Sequence, residues 1–385
     1  MKKLLALLLS VIMACGLFTF TSCGKSDLKD ANVYMFKSTG NTFGDLMWEG
    51  FNAYMTSKGE KAVNKSPATT TSEAQADMID KLIKQGIKSL TISVNGSTGY
   101  DSVIKKAKAA GITVTSVDSA LSSSLRELHT TQTYAQDIGS ALVQAATLIA
   151  LKQEYPGSFD GMATAVQTAL STYTGTKIKF GILSAGQTTV VQNNWIKWMQ
   201  EELKKDMYKD KVDSTLTIKY GDDEPTKSTT QANAFVAEDN VDVIISPTTV
   251  GMLAAGEVLK NSTTTKIKLT GLGLPSEMST YMPTANATTA EVFNSVCPYM
   301  FLWDVIDLGG VAAASTYACM KKECDGSIGS KFTMSAYTVA GTEHAARTYT
   351  VIQDPDDTTT GATAVVALQP YAFDKTNIAT WKPLL

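Results

Sequence analysis

Any chemistry in this chain falls to a small set of residues that directly follow its β-rich runs. These are Lys37 to Phe43 after NVYMFK, Asn95 after SLTISV and Asp118 after TVTSV, then Ser184 to Gln192 after FGILS, Pro247 to Thr249 after VIIS and Leu272 to Ser276 after KLTG. Amides and hydroxyls dominate the set, and Lys37 with Asp118 supplies one cation–carboxylate pair. Phe43, Trp195 and Trp303 are available as stacking faces. Such an inventory of paired donors and acceptors suits a neutral polyol better than a phosphate.

The residues that would do covalent chemistry are missing. His129 and His344 are the only histidines, and neither stands in a metal-ligand spacing or beside a cysteine cluster, so no metal site is expected. No GxSxG elbow or GxxxxGK[ST] phosphate loop occurs, and GLGLPS at Gly271 reads as a tight turn after a strand. A Ser/His/Asp triad would need a nucleophile and an orienting acid that no motif announces. The expectation is a binding protein, not an enzyme, with no cofactor. The formal charge of −3, without a long basic run, argues against a nucleic-acid partner on electrostatic grounds.

Two α/β units are needed to hold those residues. At 385 residues and 44% hydrophobic content the chain suits two domains of roughly 150 residues, each with its own core. Strand patterns at 32–37, 89–94 and 113–117 alternate with helical ones at 43–58, 72–85 and 101–110. After 129–133 the alternation restarts, with helices at 138–151, 194–205, 227–237 and 251–260 and strands at 178–184, 214–220, 241–246 and 266–271. This is the sequence form of parallel sheets, whose ligands lie beyond the carboxyl ends of the strands. Trp195 and Trp198, three apart on a helix, read as core packing. Residues 155–176 read as a polar surface insertion, the segment beyond Lys331 as Thr-rich and weakly periodic, and 354–361 (DPDDTTTG) as a loop. Cys319 and Cys324 are near enough to bridge across a helix end, and spacing leaves both the bridged and the free form open.

The first residues set the compartment. Lys2 and Lys3 precede an apolar run from Leu4 to Phe20 that ends in small residues before Cys23, the pattern of a secretory signal peptide over 1–22. Phe20-Thr21-Ser22-Cys23 resembles a bacterial lipobox, which implies a lipid anchor on Cys23 and a tether over 23–30. Cys15 is the rival site, but cutting there would leave Leu17 and Phe18 on the mature chain. Loss of the leader with its two lysines takes the net charge from −3 to −5.

Seven segments carry a family resemblance: KSTGNTFGDLMWEGF from Lys37, VDSAL from Val117, QNNWIKWMQEELKK from Gln192, YGDDEPTKS from Tyr220, SPTTVGMLAAGEVL from Ser246, GLGLPSEM from Gly271 and FLWDVIDLG from Phe301. In this order, over residues 31–317, they resemble the type I periplasmic sugar-binding proteins, in the branch of ABC-transporter solute receptors that includes rhamnose-binding and autoinducer-2-binding proteins. The resemblance implies an α/β fold of two similar Rossmann-like parallel-sheet lobes joined by a three-crossing hinge. It places the N-terminal lobe at 31–131 plus 304–335 and the C-terminal lobe at 132–303 plus 336–385, with crossings near Gln132, Asp304 and Ala336. Ligand contacts carry over to Lys37, Asn41, Phe43 and Asp118 on one lobe, and to Gln192, Pro247, Thr249 and Trp303 or Asp304 on the other. Asp118 would accept from two vicinal hydroxyls, Lys37 would donate, Asn41 and Gln192 would read hydroxyl orientation, and Phe43 and Trp303 would cover the ring face.

The implied function is a lipid-anchored, monomeric solute-binding protein of the cell envelope that hands a small neutral sugar, rhamnose or a similar monosaccharide, to an ABC permease. Val191 and Thr249 stand where autoinducer-2 receptors place an Asp and an Ala, and Ser119 where ribose receptors place an Arg, whereas PTTVG and GLGLPSEM are closer to the rhamnose branch. An autoinducer-2 receptor and a co-receptor for a chemoreceptor or histidine kinase are the alternatives.

Overall fold

The computed structural model describes residues 28–263 and 265–385; the leader and Cys23 lie outside the described residues. In chain order the first unit runs β1 (Asn32–Met35), α1 (Thr42–Ser57), β2 (Ala62–Asn64), α2 (Ser72–Lys84), β3 (Ser89–Ile92), α3 (Asp101–Ala109), β4 (Thr113–Val117) and β5 (His129–Thr131). The second runs α4 (Ala135–Ala150), α5 (Phe159–Thr172), β6 (Phe180–Ser184), α6 (Val190–Glu202), β7 (Thr217–Tyr220), α7 (Pro225–Glu238), β8 (Val243–Ser246), α8 (Thr249–Asn261) and β9 (Lys268–Gly271). It closes with α9 (Pro275–Met278), α10 (Thr289–Asn294) and β10 (Met300–Leu302). The chain then returns through α11 (Val305–Met320), β11 (Lys331–Met334), β12 (Tyr337–Val339), β13 (Thr342–His344), β14 (Arg347–Thr350), β15 (Ile352–Gln353) and β16 (Thr363–Val366), and ends with β17 (Tyr371–Phe373) and α12 (Ile378–Trp381).

Each lobe is built on a sheet whose order is non-sequential. The first is β15-β16-β5-β4-β3-β1-β2, parallel except for the β15–β16 pair, and the second is β7-β6-β8-β9, parallel throughout. Strands buried on both faces carry apolar side chains to either side. In β1, Val33 and Met35 join α2 and α3, while Tyr34 faces α1. Buried hydroxyls fix α11 to the sheet: Thr316 lies 2.7 Å from Thr91 and 2.6 Å from Thr115, and Thr130 donates to Ser315 at 3.0 Å. Hydrogen-bonded in this way, the buried hydroxyls offset the cost of their desolvation and specify one docking of α11.

Glycines let α1 and α11 approach backbone to backbone. A Cβ on Gly50 would lie 1.7 Å from the Ile306 carbonyl oxygen, and one on Gly309 would lie 1.8 Å from that of Met47. The contact fixes the relative position of two helix starts, Thr42 and Val305, that both open toward the cleft between the lobes.

The topology corrects two readings of the sequence. Residues 336–385 do not belong to the second lobe as a block: β16 adds parallel to β5 (Ala364 beside His129), and Tyr337 of β12 packs edge-on against Tyr54 of α1 at 5.7 Å. Only the chain from β17 onward lies in the second lobe, with β17 antiparallel to β10 and α12 against α9, so the third crossing falls between β16 and β17 and not near Ala336. The segment 155–176 is not a polar insertion either, because α5 buries Met162, Val166 and Leu170 against α4. The loop at 354–361 lies between β15 and β16. Cys319 and Cys324 are free thiols here, with Cys319 donating to Cys324 and lowering the Cys324 thiol to about 6.

Because the carbonyl of Met47 leaves no room for a methyl, Gly309→Ala is expected to separate α1 from α11 and to lower unfolding stability by about 3 kcal/mol, measured by urea denaturation. A change of under about 0.5 kcal/mol would show that the helices tolerate separation.

Candidate functional site

The carboxyl ends of both sheets face one interlobe cavity, about 360 Å³ of space including its opening. It is lined by Phe36, Lys37, Asn41, Phe43 and Asp118 from the first lobe, by Gln192, Trp195, Pro247, Thr248, Thr249 and Leu272 from the second, and by Leu302 and Trp303 at the second crossing.

At its centre Lys37 Nζ lies 3.4 Å from Asp118 Oδ2, with side chains 6% and 4% exposed. Asp118 takes a left-handed backbone (φ 59°), which turns its carboxylate out of the line of β4. Its Oδ2 accepts from the Ser93 hydroxyl at 2.9 Å and its Oδ1 from Gln132 Nε2 at 2.7 Å. Gln132 follows β5 on the first crossing, so the carboxylate is braced by the hinge itself.

On the opposite wall α6 begins at Val190, four residues earlier than expected, which puts Gln192 in the first turn and Trp195 one turn further on the same face. Gln192 Nε2 reaches the Pro247 carbonyl at 3.4 Å, whereas Gln192 Oε1 is buried with no partner. Trp303 Nε1 is likewise buried and unpartnered. Pro247 follows β8, and Thr248 and Thr249 start α8. Aromatic rings close the remaining sides: Phe43 meets Trp303 edge-on at 6.2 Å and Phe36 at 6.0 Å, and Trp303 lies 5.9 Å from Trp195.

Eight of the nine candidate ligand residues therefore line one cavity: Lys37, Asn41, Phe43, Asp118, Gln192, Pro247, Thr249 and Trp303. Asp304 does not. Its carboxylate caps α11, accepting from the Asp307 backbone N–H at 2.9 Å, and burial together with the neighbouring Asp307 pushes its pKa up. Asn41 has half of its expected capacity, because its Oδ1 caps α1 through Gly44 N–H at 3.0 Å and leaves the NH₂ as the group open to a ligand. Trp195 is a cavity wall as well as a core residue, whereas Trp198 is only partly buried against that core. Thr248 and Leu272 belong to the strand-end set without being among the nine ligand candidates, and Phe36, just past β1, and Leu302, the last residue of β10, are additions from the structure.

Two contacts beyond the cavity also join the lobes. The Thr42 hydroxyl bonds to Glu277 of α9, whose carboxyl burial pushes up, and Lys37 approaches Asp223 of the second lobe at 3.9 Å. Among the described residues no cluster of three His, Cys, Asp or Glu side chains could hold a metal ion.

Two lobes of parallel sheet with a closed polar cleft between them define a binding protein of the hinged, two-lobe class. The chain belongs to the periplasmic binding protein family: the family's periplasmic binding protein domain matches residues 32–323. An ABC transporter solute binding protein from Clostridium phytofermentas with bound L-rhamnose is 29% identical, with a TM-score of 0.75 over 93% of this chain and 99% of that one. A sugar ABC transporter from Actinomyces odontolyticus is 26% identical, with a TM-score of 0.59 over 91% and 97%. LsrB from Clostridium saccharobutylicum, in complex with AI-2, shares the fold at 19% identity and a TM-score of 0.72 over 91% and 99%. The family is one of extracytoplasmic substrate-binding proteins, not enzymes. No helix among the described residues is long and apolar enough to cross a membrane.

If Asp304 is a cap and not a ligand contact, Asp304→Ala should lower stability by about 1 kcal/mol while leaving ligand affinity within about twofold of wild type, roughly 0.4 kcal/mol. Urea denaturation and a binding titration check the two halves separately.

Proposed function

We propose that this protein is the solute-binding component of a carbohydrate ABC importer and that it buries one small neutral monosaccharide, rhamnose or a similar deoxy sugar, between its lobes. The observation that carries this reading is the pair of orphaned polar atoms in the cavity wall. A buried acceptor at Gln192 Oε1 and a buried donor at Trp303 Nε1 each cost free energy unless a partner arrives, and a sugar hydroxyl supplies both functions in one group. Asp118 then accepts from hydroxyls while Lys37 and the Asn41 amide donate. Phe36, Phe43, Leu272, Leu302 and Trp303 offer apolar surface for ring C–H groups and a deoxy carbon.

The mechanism is hinge closure. Each lobe moves as a rigid body and a few residues at the three crossings absorb the dihedral change. Contacts from both walls favour the closed state when sugar is present, and that difference is the signal a permease reads. A signal peptide over 1–22 would export the chain, and lipidation at Cys23 would then hold the monomeric receptor beside its permease. The L-rhamnose bound to the 29% identical protein supports the choice of sugar class.

A thermal-shift series on the chain from Gly24 onward tests this, using L-rhamnose, other deoxyhexoses, pentoses, hexoses and autoinducer-2. One sugar should raise Tm in a dose-dependent way, by mass action on the native state. Asp118→Asn should abolish the shift, and Gln192→Ala should weaken binding by about tenfold, the loss of one hydrogen bond worth about 1.4 kcal/mol. No shift with any of these compounds on folded protein would overturn the reading.

A further inference from the structure

Lys37 carries two carboxylates, one from each lobe. Asp118 of the first lobe lies 3.4 Å from its Nζ and Asp223 of the second lies 3.9 Å away, and none of the three side chains is more than 10% exposed. Asp223 does not line the cavity; it reaches the ammonium from the loop between β7 and α7. Its other oxygen accepts from the Thr248 hydroxyl, so the carboxylate is fixed in orientation by a residue that does line the cavity. The loop is tied to the end of β6, where Gly221 N–H donates to Ser184 at 2.9 Å, and so moves with the second lobe as one body.

Both carboxylates also sit on left-handed backbone, Asp118 at φ 59° and Asp223 at φ 53°, with Asp222 at φ 55° beside it. Aspartate is one of the few non-glycine residues that adopts this conformation readily, because its short side chain can hydrogen-bond locally. Here the two left-handed turns point carboxylates at one ammonium from opposite sides of the cleft.

We propose that Asp223 is a positioning residue that latches the closed state: its carboxylate meets Lys37 only when the lobes are together, and there it holds the ammonium in its ligand-contacting orientation. The inference rests on the solute-receptor reading. In the open form Asp223 departs with the second lobe and Lys37 keeps Asp118 alone. A sugar and an ion pair that both require closure favour the same state and therefore strengthen one another. The signature is faster release in the absence of the latch, with little change in capture.

The test measures binding kinetics for Asp223→Asn, Thr248→Val and Asp222→Asn, using the panel sugar that the wild type binds, L-rhamnose first. Asp223→Asn is expected to weaken binding at least tenfold through the dissociation rate, and Thr248→Val in the same direction by a smaller factor. Asp222→Asn, whose carboxylate pairs at the surface with Lys227 at 3.1 Å, should stay within twofold of wild type. Asp223→Asn within twofold of wild type, or equal in effect to Asp222→Asn, overturns the latch and leaves the receptor reading standing. If Asp223→Asn does not fold, Thr248→Val within twofold overturns it. A wild type that binds none of the sugars overturns both.

Discussion

An ammonium group buried at the meeting of two sheets constrains everything around it. Lys37 has almost no access to water, and an unpaired charge there would cost several kcal/mol. The first sheet answers with Asp118, and Asp118 in turn needs Ser93 and Gln132 to satisfy its oxygens. Because Ser93 follows β3 and Gln132 follows β5, the network spans three adjacent strands of the order β3-β4-β5 and ends on the first crossing. A charge pair that lines the interlobe cavity is thus part of what sets the strand ends and the first crossing in register.

The second support is steric. Gly50 and Gly309 let the α1 and α11 backbones touch, so Asn41 before one helix and Trp303 before the other are carried on a single rigid element. Polar grip and apolar wall therefore have fixed separation, which small rigid ligands require. Asp304, one residue from the cavity wall, serves this element as a cap. A residue next to a site can be constrained by the helix that begins there and not by the ligand.

Much of this was legible in the sequence because a parallel sheet makes function local to strand ends. Asp118, Pro247 and Thr249 each fall within three residues of a strand terminus, and Lys37 falls two residues past one, so recognising β1, β4 and β8 was enough to find them. Gln192 came with the loop after β6. Asp223 was illegible for a physical reason: its aim depends on two successive left-handed residues, and nothing in YGDDEP besides its turn-forming composition encodes that geometry. Trp195 and Trp198 share a helical spacing, and only the rotation of α6 in the fold shows that Trp195 is buried and reaches the cavity while Trp198 stays half-buried beside the core. The strand Thr363–Val366 was missed because its stability comes from a partner more than 200 residues away, at His129–Thr131, and four residues carry too little periodicity to announce a strand.

On the solute-receptor reading, one sugar enters the interlobe cavity against Lys37, Asp118 and the tryptophan walls. Intrinsic fluorescence titration, run beside calorimetry on the same sample, tests it most directly, since Trp195 and Trp303 both line that cavity. A saturable change in emission is expected, with a stoichiometry of one sugar per chain and greatly reduced in Trp303→Phe. Heat of binding with unchanged emission would place the sugar elsewhere on the molecule and contradict it.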